Sequence, residues 1–320
     1  MESDWEPRSA DPAVPEAELR ARIRTYAGPR PIRQLARCGG GLVNENVIVD
    51  LGEPDERVVL RLYRRDEAET VAAKEHRLLQ AVAGVVPAPT PLELSLVDGV
   101  PQAIHGFVPG ALLKTCFASD DEDAHARAGE TIGAALARLH AHRQPVMGFL
   151  DGDLRVPDPM GPLPGVWRGY VLDALTTGRA ATRLGPETSD ALAAFADAHA
   201  DRLASIDGAF TITHGDCKPT NVLVDQQGAL TGFLDWEFAF SGPALFDLGQ
   251  MFRWPVPPAF DAALVTAYER NGARLPEGWR ALARMLDLLN LVGFLDMAGE
   301  RPTVVRDCRR LLRASLAALA

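Results

Sequence analysis

Two short apolar runs, Val222–Val224 and Leu230–Leu234, lie on either side of the turn sequence Asp225-Gln226-Gln227-Gly228. Runs of this length that flank Asp- and Gly-containing turn chemistry predict an antiparallel β-hairpin. Because strand pairing also decides which residues beyond the strands lie opposite each other, the hairpin constrains the positions of the polar residues at its open end.

At that open end the sequence places several polar side chains. If residue 225 faces residue 231, Asn221 lies opposite Asp235. Asp216 precedes Asn221 by five residues on the segment that leads into the hairpin, and Lys218 lies between them. We therefore expect three oxygen-bearing side chains to meet at one point, with Lys218 beside them.

This set of side chains is suited to phosphoryl transfer. Mg²⁺ prefers carboxylate and amide oxygens and fills its remaining positions with water and phosphate. Phosphoryl transfer uses this metal together with a carboxylate that orients the attacking hydroxyl. A single Asp in a turn could equally cap backbone groups. The combination His-x-Asp-x-Lys-x-x-Asn, followed by Leu-Asp-Trp-Glu, favours the catalytic interpretation.

The segment from His214 to Glu237 resembles the signature of the aminoglycoside phosphotransferase and choline kinase-like superfamily. These proteins are small-molecule kinases with a protein-kinase-like fold, in which an HGDxxxxN loop is followed by an IDWE-type strand end. The resemblance extends over roughly residues 30–300 and is more specific in its C-terminal motifs than in its N-terminal ones.

The resemblance implies a role for each residue of the motif. Asp216 is the expected catalytic base, or the residue that orients the acceptor hydroxyl. Asn221 and Asp235 are the expected metal ligands. His214 is expected to brace the loop, and Lys218 is counted with the catalytic residues.

Asp247, in the sequence Phe246-Asp247-Leu248-Gly249, matches a family Asp that holds the catalytic loop from the start of a helix. Without the resemblance, Asp247 is an acidic residue near a helix N-terminus, where it would interact favourably with the helix dipole. Both interpretations place it at the beginning of a helix.

A glycine-rich turn, Cys38-Gly39-Gly40-Gly41-Leu42-Val43-Asn44, precedes the first predicted strand. Glycines allow backbone N–H groups to approach phosphate closely, although such a turn can also simply connect two strands. Ahead of a kinase-like loop we interpret Gly40 and Gly41 as nucleotide-binding residues. Asn44 matches an Asn that the family carries in this turn.

The following strand, Val58 to Tyr63, carries Arg61 where protein kinases carry a Lys that binds nucleotide phosphates. Many family members resemble this chain in using Arg there, and a guanidinium can bind phosphate through two N–H groups. Glu75 on the next helix is the expected ion-pair partner of Arg61. The alternatives are that Arg61 is an exposed strand residue and that Glu75 is a solvated helix residue. Arg64, on the opposite face of the strand, is expected to be an exposed surface residue.

The run Ala103 to Gly110 resembles the hinge strand between the lobes of a kinase, whose backbone groups bond the purine edge. His105 and Phe107 lie on this run and are assigned to the nucleotide site by position.

The order of predicted elements divides the chain into two parts. Residues 1–15 are rich in Pro and acidic side chains and are expected to form a loose arm. Up to residue 108, strands with a helix inserted predict a small mixed lobe with an antiparallel sheet. Residues 109–320 are expected to be mainly helical. The prediction is an α+β, protein-kinase-like two-lobed fold, with nucleotide bound by residues 1–108 and catalysis and acceptor binding in residues 109–320.

The first helix of the larger lobe is predicted from the capping-box sequence Ser119-Asp120-Asp121-Glu122 and should extend to about His142. His140 and His142 at its end are interpreted as caps or surface residues rather than metal ligands.

Composition excludes several classes of protein. Asp and Glu number 43 against 33 Lys and Arg, a net charge of −10, which does not suit a general nucleic-acid binder. The opening residues have no apolar stretch typical of a secretory signal. The most apolar segment, Leu286 to Leu295, is too short to span a membrane. Four isolated cysteines fit a reducing compartment. We expect a cytoplasmic monomer or homodimer that binds neither nucleic acid nor membrane.

The predicted function is transfer of the γ-phosphate of a Mg²⁺-nucleotide, ATP with GTP as the alternative, to an alcohol hydroxyl of a small molecule. A protein kinase is disfavoured because the connection from Asp235 to Asp247 leaves little room for a peptide-docking segment. A non-catalytic nucleotide-binding regulator of the same fold is the alternative.

The acceptor stays open among aminoglycosides and other antibiotics such as macrolides, sugars and amino alcohols. In the resembling family it binds to the helical lobe. The candidate contacts, each of which could equally be a core or surface residue, are Trp167, Tyr170, Trp254, Asp287, Asp296 and Glu300.

Overall fold

The computed structural model describes Glu2 and residues 5–6, 13–38, 44–52, 56–64 and 67–319. The fold is α+β, with an antiparallel sheet in the N-terminal lobe and a mainly helical C-terminal lobe, as predicted. The helices and strands of both lobes follow the local hydrophobic periodicity of the sequence.

The N-terminal lobe is an antiparallel sheet with a helix on each face. In chain order, the described elements are α1 (Glu16–Ala27), β1 (Gln34–Arg37), β2 (Glu45–Asp50), β3 (Arg57–Leu62), α2 (Ala68–Val82), β4 (Pro91–Val97) and β5 (Val100–Gly106). The strand order is β1-β2-β3-β5-β4, and all neighbouring strands are antiparallel. The pairs β2–β3 and β4–β5 are hairpins.

Alternation along β3 decides which side chains face the rest of the molecule. Leu60 and Leu62 pack with α1 in one apolar cluster. Arg61 is therefore on the opposite face of the sheet, the side covered by α2 and the C-terminal lobe. A buried charged residue on that face needs partners from those elements.

The C-terminal lobe packs helices around two small three-stranded sheets. Its elements, in chain order, are β6 (Ala111–Leu112), α3 (Leu113–Cys116), α4 (Glu122–His140), β7 (Gly148–Phe149), α5 (Leu163–Thr176), α6 (Ala180–Leu184), α7 (Pro186–His199), a 3₁₀ helix (Ala200–Ile206), β8 (Phe210–Thr213), β9 (Val222–Val224), β10 (Leu230–Phe233), a second 3₁₀ helix (Trp236–Phe238), β11 (Phe240–Pro243), α8 (Leu245–Met251), α9 (Pro258–Arg270), α10 (Trp279–Asp296) and α11 (Pro302–Leu319). Within the described ranges no helix is long and apolar enough to cross a membrane.

Helix α4 begins two residues later than its capping sequence predicted. Asp121, not Ser119, is the N-cap, and its carboxylate accepts a hydrogen bond of 2.9 Å from the Ala124 N–H. Ser119 instead bonds the Cys116 carbonyl of the preceding helix. An ionised side chain at the cap competes well with a hydroxyl, because it also interacts with the helix dipole.

The hairpin β9–β10 is present, but the predicted register is wrong by one residue. Val224 pairs with Leu230, whereas Val222 pairs with Phe233, because the ladder is irregular around Thr231. This extra residue is a β-bulge, which shifts all later pairings. Asn221 therefore faces Leu234, whose N–H donates to the Asn221 carbonyl at 2.8 Å, and Asp235 lies one residue beyond.

The described residues of the 1–15 segment contradict the prediction of a loose arm. Trp5 is buried, its indole N–H donates to Asp307 at 3.1 Å, and its ring packs edge-on against Phe294. Glu6 accepts hydrogen bonds from the first N–H groups of α11, at Thr303 and Val304. The polar composition of residues 1–15 suggested that this segment is solvated. Its contacts are with residues about 300 positions away, so they leave no pattern in the local sequence.

Candidate active site

The segment His214–Asn221, called here the HGD loop, connects β8 to β9. Gly215 adopts a φ of +78°, and a Cβ there would lie 2.1 Å from the Phe238 carbonyl oxygen. Only glycine combines this backbone conformation with so close an approach. The loop is consequently pressed against the chain that follows Asp235.

Asp247, at the start of α8, holds the HGD loop in place as predicted. Its fully buried carboxylate accepts hydrogen bonds from the backbone N–H groups of His214 at 2.8 Å and Gly215 at 2.9 Å. His140 contacts the same carboxylate through Nε2 at 3.0 Å and Tyr268 through Nδ1 at 2.8 Å. The interpretation of His140 as a cap or surface residue is wrong, because it is a buried bridge between α4, α8 and α9.

Gln250 also holds the loop, and sequence reasoning missed it. It accepts a hydrogen bond from the Cys217 N–H at 2.6 Å and donates to the Gly215 carbonyl at 2.7 Å. Its spacing of three residues from Asp247 places both side chains on one face of α8. That spacing is the signal that could have identified it.

Replacing Asp247 with Asn is expected to lower the free energy of unfolding by about 1–3 kcal/mol, because one buried donor loses its acceptor. The amide nitrogen of Asn cannot accept a hydrogen bond from His214, Gly215 or His140. Urea denaturation measures the loss. Asp225→Asn is the matched control, since Asp225 also accepts two backbone N–H groups, at 2.9 Å and 2.8 Å, but is only half-buried. Equal losses in the two variants would contradict the assignment.

Asp216, Lys218 and Asn221 are in direct contact. The Asn221 amide donates to the Asp216 carboxylate at 2.6 Å and to its carbonyl at 3.0 Å. The Lys218 Nζ lies 3.1 Å from the other Asp216 oxygen. Burial raises the pKa of Asp216, although the charge of Lys218 acts in the opposite direction. A carboxylate with a raised pKa is a better proton acceptor than a free one.

His214 lies entirely in the interior. Its Nδ1 accepts a hydrogen bond from the Asp216 N–H at 3.2 Å, and its ring packs on Trp236 with centroids 4.5 Å apart. Burial lowers the pKa of this imidazole, so the ring is neutral at ordinary pH. The predicted bracing role agrees with these contacts, whereas direct proton transfer by His214 does not, because the ring has no access to solvent.

The Arg61 side chain extends from β3 in the N-terminal lobe to Asp235 in the C-terminal lobe. Its guanidinium contacts Glu75 at 3.0 Å, which confirms the predicted ion pair, and Asp235 at 2.5 Å. Glu237 lies 3.4 Å away. Glu75 also accepts the Tyr63 hydroxyl at 2.6 Å and the Trp236 N–H at 3.1 Å. Arg61 is thus buried and held rigidly between both lobes.

Asn44 adds a second link between the lobes. Its side-chain NH₂ group donates to Glu237 at 2.9 Å, and its side-chain oxygen accepts a hydrogen bond from the backbone N–H of Arg64 at 3.3 Å. Arg64 is half-buried and lies 3.5 Å from Glu45, so the expectation of an exposed surface Arg64 is wrong. Gly40 and Gly41 lie outside the described residues, so their predicted phosphate contacts stay predictions.

His105 and Phe107 lie where β5 leads to the C-terminal lobe. His105 pairs with Val59 and so shares the sheet face of Arg61; burial lowers its pKa to about 3, and the charge of Arg61 adds to the effect. The Phe107 ring packs against the Arg57 guanidinium at 4.0 Å. The N–H groups of Gly106 and Phe107 already donate to Thr90 and Arg57, so purine recognition cannot use these two donors.

Asn221 and Asp235 fit the chemistry of Mg²⁺. Burial raises the pKa of Asp235, but the charge and hydrogen bond of Arg61 outweigh it, and the resulting pKa lies below the usual value. Asp235 is therefore ionised. Among the described residues, no cluster of three or more His, Cys, Asp or Glu side chains could hold a metal. A metal here would take its remaining ligands from water and phosphate, which is the usual way proteins bind Mg²⁺.

The predicted acceptor contacts occupy different environments. Asp287 is buried in a bidentate pair with Arg253, a residue that sequence reasoning did not single out. Trp167 is a core residue whose indole donates to the Met285 carbonyl, and Trp254 is also buried. The other three do not line the HGD loop in any described contact: Tyr170, Asp296 and Glu300.

Comparison with known proteins agrees with this geometry. The sequence model of the phosphotransferase enzyme family matches residues 34–284. No curated protein sequence matches the chain.

Several solved structures share the fold. A thermostable mutant of aminoglycoside phosphotransferase APH(4)-Ia superposes with a TM-score of 0.67 at 16% identity, covering 92% of this chain and 97% of that chain. Macrolide 2'-phosphotransferase MphH from Brachybacterium faecium gives 0.65 at 21% identity, covering 94% and 96%. ADP-bound aminoglycoside phosphotransferase APH(2'')-Ib gives 0.65 at 14% identity, covering 95% and 99%.

Proposed function

The chain belongs to the phosphotransferase enzyme family, and on that basis we propose that it transfers the γ-phosphate of a Mg²⁺-nucleotide to the hydroxyl of a small alcohol. The observation that carries the proposal is the juxtaposition of Asp216, Lys218 and Asn221 with the Arg61–Asp235 pair. In the proposal these residues supply a proton acceptor, two cations and two metal-compatible oxygen donors.

Each side chain has a separate task in this proposal. Asp216 orients the acceptor hydroxyl and takes its proton, Lys218 holds the Asp216 carboxylate in place, and Arg61 neutralises the charge of the transferring phosphate. Asn221 and Asp235 hold Mg²⁺, which supplies further charge neutralisation when bound. Asp247 and Gln250 keep the loop in position. Asn44, His105 and Phe107, with Gly40 and Gly41, are proposed to line the nucleotide site.

ATP is the proposed donor, with GTP as the alternative. Solved relatives of the same fold were crystallised with ADP and AMP-PNP. Their acceptors, hygromycin B and gentamicin, are aminoglycosides, and others of the fold are macrolide phosphotransferases. An antibiotic acceptor agrees with this range, and a sugar, an amino alcohol or another small alcohol stays a prediction. A lobe boundary after residue 108, a cytoplasmic location and a monomer or homodimer stay predictions.

The proposed function is tested by incubating the protein with Mg²⁺ and ATP or GTP and a panel of small alcohols. A product heavier by one phosphoryl group, detected by mass spectrometry, is expected for at least one alcohol. The alternative, a non-catalytic nucleotide-binding regulator, predicts nucleotide binding without a phosphorylated product from any alcohol, and that result would overturn the proposal.

Arg61→Ala is expected to raise the nucleotide KM by about 10–150-fold, since loss of a charge-assisted hydrogen bond costs ~1.5–3 kcal/mol. Arg61→Lys should keep partial activity because it retains the charge and loses the planar fork. Glu75→Gln should have a milder effect, because it only loosens the orientation of Arg61. Steady-state kinetics with varied nucleotide measures all three.

The matched control is Arg64→Ala, which removes the same charge from the opposite face of the strand and should leave the KM unchanged. Thermal unfolding of each variant separates misfolding from weak binding, because removing Arg61 leaves three carboxylates close together. A parental KM in the Arg61→Ala variant would contradict the phosphate contact.

A further inference from the structure

A carboxylate from the N-terminal segment occupies the space beside the HGD loop. Glu2 lies 3.1 Å from the Lys218 Nζ and 2.8 Å from the Arg253 Nη1, and its side chain is only 6% exposed. Burial alone would raise the pKa of Glu2, but Lys218 and Arg253 lower it to about 2. The two cations thus hold an ionised carboxylate inside the protein.

The two cations are fixed independently of Glu2. The Arg253 guanidinium is 1% exposed and uses Nε and Nη2 for a bidentate pair with Asp287. This arrangement orients Nη1 toward Glu2. Lys218 is fixed by Asp216, and the Phe294 ring lies against both cationic groups. A preformed pair of buried donors of this kind is an anion-binding site.

The arm itself is anchored elsewhere. Trp5 packs on Phe294 and bonds Asp307, and Glu6 bonds the start of α11. Two kinds of described contact hold Glu2 beside the HGD loop. Its carboxylate contacts Lys218 and Arg253, and its backbone carbonyl accepts a weak hydrogen bond of 3.4 Å from the Trp5 N–H. A free anion can therefore compete with this side chain without unfolding the arm.

The anion position is close to the proposed reacting position. One oxygen of Glu2 and one of Asp216 each lie 3.1 Å from the same Lys218 Nζ, so these two oxygens are at most twice that distance apart. A hydroxyl bonded to Asp216 would be separated from an anion at the Glu2 position by only a few bonds.

We propose that Lys218 and Arg253 form the subsite for a carboxylate of the acceptor, and that the Glu2 carboxylate occupies this subsite in the acceptor-free protein. The acceptor class is then a short β- or γ-hydroxy acid. This inference rests on the proposed function. In the transfer, the hydroxyl oxygen forms a bond to the γ-phosphorus, the bond to the bridging oxygen of ATP breaks, ADP leaves and the proton passes to Asp216.

The test is calorimetric titration of γ-hydroxybutyrate and its methyl ester into the full-length protein without nucleotide. Glu2→Ala removes the internal competitor and should bind the acid at least about tenfold more tightly than the parent does, because a tethered carboxylate acts at a millimolar effective concentration. The ester should bind no better to the variant. Glu16→Ala, which breaks an exposed ion pair with Arg20, is the control and should behave like the parent.

Arg253→Lys in the Glu2→Ala background should reverse the gain in affinity for the acid. A lysine has no second N–H edge, so it cannot contact Asp287 and the acid at the same time as the guanidinium does. Equal affinity for acid and ester, no gain in Glu2→Ala, or binding of inorganic phosphate in place of the acid would each overturn the carboxylate assignment. These outcomes are independent of the proposed function, whose failure would appear as absence of transfer to every alcohol in the panel.

Discussion

Asp216→Asn is expected to lower kcat by ~10²–10⁴ while leaving nucleotide affinity within about threefold. In our proposal Asp216, held by Lys218, serves the acceptor, whereas Arg61, Asn221 and Asp235 serve the nucleotide and its metal. An amide cannot accept the hydroxyl proton, and its NH₂ group would meet Lys218 or Asn221, both of which are donors. The measurements are kcat from the product-mass assay and nucleotide titration by calorimetry.

Asp225→Asn, in the turn of the same hairpin, serves as the control and should retain parental kcat. Thermal unfolding of both variants checks that the HGD loop is intact. An Asp216→Asn enzyme that keeps more than about a tenth of the parental kcat would show that another group accepts the proton, since general-base catalysis contributes far more than that.

Asp235→Ala is expected to remove the Mg²⁺-dependent part of nucleotide binding, and Asn221→Ala to weaken it less, because a carboxylate binds Mg²⁺ more strongly than an amide. The readout is the ratio of nucleotide affinities with Mg²⁺ and with a chelator. This ratio isolates the metal, since Asp235 also pairs with Arg61 at 2.5 Å and its loss disturbs nucleotide binding in two ways.

Glu75→Gln is the matched control for the metal. It too removes a carboxylate that contacts Arg61, but Glu75 is not one of the proposed metal ligands, so the ratio should stay at the parental value even if overall affinity falls. If the ratio of affinities in Asp235→Ala equals the parental ratio, the metal is bound elsewhere.

Local patterns predicted much of the site. The run from Asn221 to Asp235 encodes two strands and a turn through short-range patterns, and this brings Asn221 and Asp235 to one end of the hairpin. Alternation along β3 correctly separates Arg61 from Arg64. The Arg61–Glu75 pair was predicted from the resemblance and is present.

The register and the neighbours of the loop could not be predicted in the same way. The bulge at Thr231 shifts Asp235 by one residue, and a short strand that contains Gly232 has no strict alternation that would reveal the extra residue. Gln250 contacts the loop from α8, and His140 contacts Asp247 from α4. The sequence around each of these two residues indicates only ordinary helix.

The sequence by itself determined the residue types of the site and the strands and helices that present them, because these depend on chemistry and on periodicities of two and 3.6 residues. Apart from the Arg61–Glu75 pair, only the tertiary structure decided which charges neutralise each other. Glu2 meets Arg253 across 251 positions of sequence, and Arg61 meets Asp235 across 174. Such pairs form because burial makes an unpartnered charge costly, and the identity of the partner depends on how the helices and sheets pack.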